Sequence, residues 1–286
     1  YKDIDSWIED NPGELVPIRI EFNDNIDCFN LNQRFKDQQT TVNQRPKIVN
    51  RLLKEQAVKS QEFVIDFFKK QTSSKTYYHS FWIVNIIVAQ VDAATIEKLL
   101  QFSNISTIKI ENNQFIAHDD FKESADNNRT PNGVENGLIA INAPAMWALG
   151  YTGRGRLAYN YDTGVWPNHP AFSNRFIGDR FPMQQSWIGY FNTFPNGSIQ
   201  NHGTHTLGTI AGLVESTNDT IGVAFGSYWI ANDFVTSTVQ ALPPIVNVVE
   251  AFQWALNPDN DTSTTEDIPD VINNSWRWYD GNDTIH

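Results

Sequence analysis

Leu157-Ala158-Tyr159-Asn160-Tyr161-Asp162-Thr163-Gly164-Val165 is followed further along the chain by His202-Gly203-Thr204-His205-Thr206-Leu207-Gly208-Thr209. The first stretch runs apolar into an aspartate and then a Thr-Gly turn. It predicts a short strand, Leu157–Tyr161, that Asp162 ends. A carboxylate at the C-terminal edge of a parallel strand is where open α/β sheets place their chemistry. In the second stretch a histidine opens a helix carrying Gly203, Gly208, Ala211 and Gly212, small residues that allow close approach to a sheet. Each stretch also has a plain alternative. An isolated Asp-Thr-Gly is a common turn. His202 and His205, three apart on one helical face, could be core residues or metal ligands, although no helical glutamate base accompanies them as zinc-dependent hydrolysis would need. Together the two stretches form an acid–base pair. His202 would take a proton from a hydroxyl nucleophile, and Asp162 would hold the imidazole tautomer and stabilise the imidazolium. His205 would be a structural neighbour.

Outward from this pair the chain keeps alternating between helix and strand. Gly137–Tyr151 predicts a short helix around Ala145–Leu149, ended by Gly150. A further strand is expected over Trp229–Val235. Ala251–Asn257 is a helix ended by Pro258, and Asp270–Trp276 contains a further strand, expected to be buried. Before residue 120 the pattern differs. In Leu15–Phe22, Val16, Ile18, Ile20 and Phe22 alternate with Arg19 and Glu21, the mark of a half-buried strand. Ile48–Lys70 has a helical apolar stripe that includes Ala57, Phe63, Val64, Phe67 and Phe68. Phe81–Ala89 is continuously apolar and predicts one buried strand. Asp92 is placed to cap a helix through Leu99 and Leu100, and Ile105–Ile110 closes the set. These elements make a small α+β sandwich, with polar Asn23–Lys47 as an inserted loop.

Composition narrows the function classes. With 286 residues and 40% hydrophobic content the chain can bury a sizeable core. A net charge of −12 argues against nucleic acid and anionic membrane surfaces as partners. Lys122 is the last lysine and most of the acidic excess lies beyond it, which marks a domain boundary. Cys28 is the one cysteine, so no intrachain disulfide forms. No apolar run is long enough for a membrane-spanning helix. The chain begins with Tyr1, as though a leader had been removed. Asn-x-Ser/Thr sequons fall at Asn104, Asn128, Asn196, Asn218, Asn260, Asn273 and Asn282. A glycan at Asn273 is not expected, because that residue lies in the strand taken as buried.

The order Asp162 then His202 resembles the subtilisin family of serine proteases, whose serine comes last. The match continues through Ile221-Gly222-Val223-Ala224-Phe225-Gly226 and Asp270-Val271-Ile272-Asn273-Asn274-Ser275-Trp276, running from about residue 137 to 276. With Thr206-Leu207 inside the histidine motif it looks closest to the bacillopeptidase F-like branch. Aspartic proteases also carry Asp-Thr-Gly, but twice. Phe81–Val88 followed by Ile96-Glu97-Lys98-Leu99-Leu100 is similar to the propeptide of these proteases. In the family that domain assists folding of the catalytic domain and then inhibits it. The resemblance implies an α/β fold: the N-terminal half of a subtilisin-like parallel-sheet domain, preceded by a small α+β propeptide domain. The implied division is a tail at 1–14, a propeptide-like domain at 15–118, a linker at 119–136 and the catalytic part at 137–286, with the cleavage point expected between Ile116 and Thr130.

The resemblance further implies Asp162 and His202 as catalytic residues, with Ser275, Trp276 and Arg277 on a substrate-flanking strand. The partners implied are a polypeptide substrate and the chain's own propeptide domain, in a secreted or vacuolar-type compartment. Several features depart from the family pattern. No Gly-Thr-Ser-Met-Ala nucleophile segment occurs up to His286, nor does the Ala-Gly-Asn that carries the oxyanion-hole asparagine. The isolated chain is therefore expected to be an inactive protease precursor. Arg277 stands where the family usually has glycine, and its side chain would interfere with close substrate pairing. Calcium is the cofactor the family allows, but Ala171 replaces one usual aspartate ligand and offers no oxygen. Two rival expectations are a pseudoprotease acting as a binding or inhibitory module, and a metal-dependent hydrolase using His202 and His205.

Overall fold

The computed structural model describes residues 2–71, 76–111, 133–197, 201–235 and 245–276. They fall into two units. One comprises Tyr1–Asn113 with Val248–Asn257 and Asp261–Thr265, and the other holds the rest.

The alternation before residue 23 becomes strand β1 (Val16–Phe22), whose odd–even pattern buries Val16, Ile18, Ile20 and Phe22. On the other face Arg19 pairs with Glu21 and with Glu111, and Lys109 also reaches Glu21. Burial pushes the Glu111 carboxyl above the usual carboxylate range, and Arg19 opposes that shift. The residues before β1 are not a bare tail. They form helix α1 (Lys2–Asp10), and Ile4 enters the core. Part of the expected inserted loop is also helical, as α2 (Cys28–Asp37), with Asp27 accepting from the Asn30 amide.

Helix α3 (Arg45–Lys70) carries the predicted stripe, but with a different buried face. Ala57, Ser60, Gln61, Val64 and Phe68 are buried, whereas Phe63 is 65% exposed. The buried polar residues serve a neighbouring turn. The apolar run Phe81–Ala89 is not one strand but the far half of a hairpin, β2 (Tyr77–Phe81) and β3 (Ile86–Val91). The chain reverses at Asn85 in the left-handed region, φ 48°, which asparagine tolerates better than the β-branched residues around it. Gln61 Nε2 donates to Phe81 O (2.8 Å) and Asn85 Oδ1 (3.0 Å), and its Oε1 accepts from Ser80 Oγ (2.6 Å). Gln61→Leu would strand a buried carbonyl and a buried amide oxygen, each worth about 1–3 kcal/mol. We expect roughly 3 kcal/mol lost in urea unfolding. A loss below about 0.5 kcal/mol would show that water replaces the glutamine.

Asp92 caps α4 (Ala93–Leu99), accepting from Thr95 N at 2.7 Å, and β4 (Ile105–Ile110) follows. The four strands form an antiparallel sheet in the order β2-β3-β1-β4.

In the second unit α5 (Asn136–Ala140) and α6 (Ala143–Ala148) precede β5 (Leu157–Asn160), with Gly150 in the left-handed region after α6. Next come β6 (Trp187–Ile188), α7 (His202–Ala211), the short hairpin β7 (Leu213–Val214) and β8 (Asp219–Thr220), then β9 (Tyr228–Asn232). Helix α8 (Ile245–Ala255) groups with the first unit from Val248 onward. There Gln253 Oε1 accepts from Trp82 N and Ile83 N at 2.8 and 3.3 Å. Strand β10 (Val271–Asn273) completes a parallel sheet ordered β10-β5-β9-β6. Contrary to expectation β10 is not buried: Val271 is 59% exposed. Among the described residues it pairs only with β5, so it forms an edge. The apolar core of this unit gathers Val165, Phe172, Phe176, Leu207 and Trp229. Residues 119–132 of the proposed 119–136 linker, and the sequons at Asn128 and Asn282, lie outside the described residues.

Candidate active site

Strand β5 is buried at all four positions and bonded in parallel register to β9 on one side and β10 on the other. It delivers Asp162 just past its C-terminal end. The backbone there is fixed from both neighbours: Tyr161 N donates to Asn273 O (3.0 Å) and Asp162 N to Asn232 Oδ1 (2.9 Å). Asn232 is held in turn by its Nδ2 bond to Tyr159 Oη (2.6 Å). Tyr159 and Tyr161 are buried, and burial pushes both phenols well above their usual range, so they stay neutral.

The Asp162 carboxylate is wholly buried, and Oδ1 lies 2.6 Å from His202 Nδ1. Oδ1 also accepts from Thr163 N at 2.7 Å. A carboxylate only accepts, so the Nδ1 position carries the proton, and in the neutral imidazole Nε2 keeps a lone pair. His202 is the first residue of α7, and Gly203 lets that helix start against the β5 turn. A Cβ on Gly203 would stand 2.2 Å from Gly164 O, so only glycine fits. Gly203 N donates to Thr163 Oγ1 (3.0 Å), and Thr204 Oγ1 accepts from Trp166 N (2.9 Å). The other small residues differ. A Cβ on Gly212 would meet Gly208 O at 2.6 Å, whereas one on Gly208 would meet nothing within 4 Å among the described residues.

The structure therefore brings Asp162 and His202 together, while His205 is exposed on the same helix. Among the described residues no group of three His, Cys, Asp or Glu side chains is arranged to hold a metal ion. Ala171 lies in the apolar core and presents only a methyl group. Ser275 exchanges hydrogen bonds with Asn273, and Trp276 Nε1 donates to Tyr161 O (3.0 Å) while its ring packs on Tyr161. Arg277 lies outside the described residues.

Sequence reading missed a second layer of buried polar residues. Thr206, Asn160 and Asn273 form a network beneath the pair. Asp233, also buried, accepts from Tyr190 N, Phe191 N and Asn192 N at 2.5–3.2 Å and so fixes that loop. The signal available was polar residues at positions where the strand and helix patterns demand apolar ones: Asn160 within Leu157–Tyr161, and Thr206 on the sheet side of α7.

A buried aspartate past a parallel strand, bonded to a histidine that opens a helix, is an arrangement that can serve as the acid–base half of a serine-hydrolase triad. Residues 161–283 match the model of the subtilase family, Peptidase_S8, and the chain resembles the subtilisin-family serine proteases. It is 29% identical to bacillopeptidase F of Bacillus subtilis (strain 168) over 266 residues, covering 84% of this chain and 18% of that protein. Subtilisin E of the same organism is 26% identical over 181 residues, covering 63% of this chain and 41% of that protein. The chain thus spans less than half the length of either relative. A solved structure, a mutant epidermin leader peptide processing serine protease from Staphylococcus aureus, aligns at 14% identity and TM-score 0.48, covering 92% of this chain and 51% of that one.

Proposed function

We propose that this chain supplies the acid–base machinery of a subtilisin-like serine endopeptidase. The observation that supports the reading best is the 2.6 Å contact between His202 Nδ1 and the buried Asp162 Oδ1. In the proposed reaction His202 Nε2 removes the proton of a serine hydroxyl as the oxygen attacks the substrate carbonyl. The imidazolium, held by Asp162, then gives that proton to the departing amine. Water repeats the sequence on the acyl-enzyme. The reading assigns the serine and the oxyanion-hole donor to sequence outside residues 1–286. Residues 15–118 act as propeptide to the part from 137 onward and occupy its cleft, and Ser275, Trp276 and Arg277 flank the bound polypeptide. A secreted or vacuolar-type compartment fits this role. Among the described residues no helix is long and apolar enough to cross a membrane.

The test is a fluorophosphonate probe applied to the native protein from its source, with peptide mapping through and past His286. Labelling of a serine, abolished by His202→Ala, is the expected result. A mature C-terminus at His286 with no labelled serine would overturn it in favour of an inhibitory or binding pseudoprotease.

A further inference from the structure

We infer that Thr206 is a positioning residue of the Asp162–His202 pair, donating its hydroxyl proton to the outer carboxylate oxygen of Asp162 and so setting the basicity of His202. The inference builds on the protease reading only for its catalytic consequence.

Thr206 lies one helical turn after His202 on α7 and is buried. Its Oγ1 is within reach of three acceptors: Asp162 Oδ2 at 3.1 Å, Asn160 Oδ1 at 3.2 Å and Gly203 O at 3.2 Å. One hydroxyl has one proton, so only one of them receives it. Two already have donors. Asn160 Oδ1 accepts from Asn273 Nδ2 at 3.0 Å, and Gly203 O accepts from Asn160 Nδ2 at 2.9 Å. Asp162 Oδ2 has no donor among the described residues except Thr206. It also carries charge, and a charge-assisted hydrogen bond is roughly twice as strong as a neutral one. The proton therefore goes to Asp162. The chain Asn273–Asn160–Gly203 serves to leave it there, because it satisfies both competing acceptors from β10 and β5.

A donor on Oδ2 draws negative charge away from Oδ1, the oxygen that faces His202. Without it the carboxylate becomes a stronger base and holds the imidazolium more tightly, so the imidazole titrates higher. The other ionisable groups on the elements around the pair are Tyr159 on β5 and Tyr161 just after it, both held neutral, Asp233 just beyond β9, and His205 on α7 itself.

The experiment is an NMR titration of the protein carrying 13C-labelled histidines, comparing wild type, Thr206→Val and Thr206→Ser. Thr206→Val keeps the side-chain shape and removes the proton. It should raise the His202 midpoint by about one pH unit, with Thr206→Ser remaining at the wild-type value. The acid limb of any pH–rate profile would rise in parallel. Equal midpoints in all three proteins would overturn the inference. If Thr206→Val does not fold, uniformly 13C-labelled wild-type protein decides. A Thr206 hydroxyl proton held by a buried carboxylate exchanges slowly and gives a long-range 13C–1H cross-peak, and the absence of that peak rejects the assignment. The titration reads the pair directly. Failure of fluorophosphonate labelling would remove the protease reading and leave this result standing.

Discussion

Asp162→Asn should lower the rate of serine phosphonylation and of peptide hydrolysis by about 10³- to 10⁴-fold in the native protein. The cause follows from the bonds around the carboxylate. Thr163 N–H points at the same atom that faces His202, so that atom must remain an oxygen. The new amide would place its NH2 where Oδ2 now stands, facing Thr206 Oγ1. The hydroxyl can accept it by turning its own proton to Asn160 or Gly203. Geometry and tautomer are then kept, and only the negative charge is lost. An imidazolium beside a neutral amide in a buried site is poorly stabilised, so the His202 midpoint should fall by more than about one unit while the fold stays intact. The direction is opposite to that expected for Thr206→Val. A rate loss under about tenfold would mean that the charge at position 162 is not used, and the paired-base reading would fail.

Much of this site is readable from sequence because the proposed chemistry needs fixed residue types in a fixed order. Asp162 ends an apolar run, and His202 opens a run of small residues. The strand β1 and the Asp92 cap were legible for the same reason, since alternation and a lone aspartate before a helix each have one local meaning. The rest required tertiary context. Gln61 and Ser60 look like surface residues, yet they are buried with Asn85 because the β2–β3 turn has carbonyl and amide groups that these side chains satisfy. In the run Phe81–Ala89 the one trace of the turn is Asn85, a residue that tolerates the left-handed region, and the apolar residues on either side of it have no period from which to read a reversal. Strand β10 looks buried by composition, although an edge position depends on which strands flank it. Thr206 and Asn160 break the apolar patterns of α7 and β5, and a polar residue in a buried register is the trace that a network leaves in sequence.

Two glycines five residues apart on α7 should respond in opposite ways. A methyl group on Gly203 would sit 2.2 Å from Gly164 O, 3.1 Å from Asp162 Cβ and 3.2 Å from Asp162 Oδ1. The turn cannot yield. Gly164 is left-handed at φ 100°, and Asp162 N is bonded to Asn232. Relief must come from α7 lifting by roughly 1 Å, an estimate from ordinary contact distances. That movement stretches the Gly203 N–Thr163 Oγ1 and Asn160 Nδ2–Gly203 O bonds and the His202–Asp162 contact together. Gly203→Ala should therefore cost roughly 3 kcal/mol in urea unfolding, and a misplacement of that size should cost about 10²-fold in rate. At Gly208 an added Cβ meets nothing within 4 Å among the described residues. Gly208→Ala should instead stabilise the helix by about 0.5–1 kcal/mol, through the lower backbone entropy of the unfolded alanine chain, with the rate unchanged. If both variants behaved alike, close packing at the start of α7 would not be what holds His202 on Asp162. A neutral Gly203→Ala would sink the argument outright, because no residue with a Cβ can keep the observed contact.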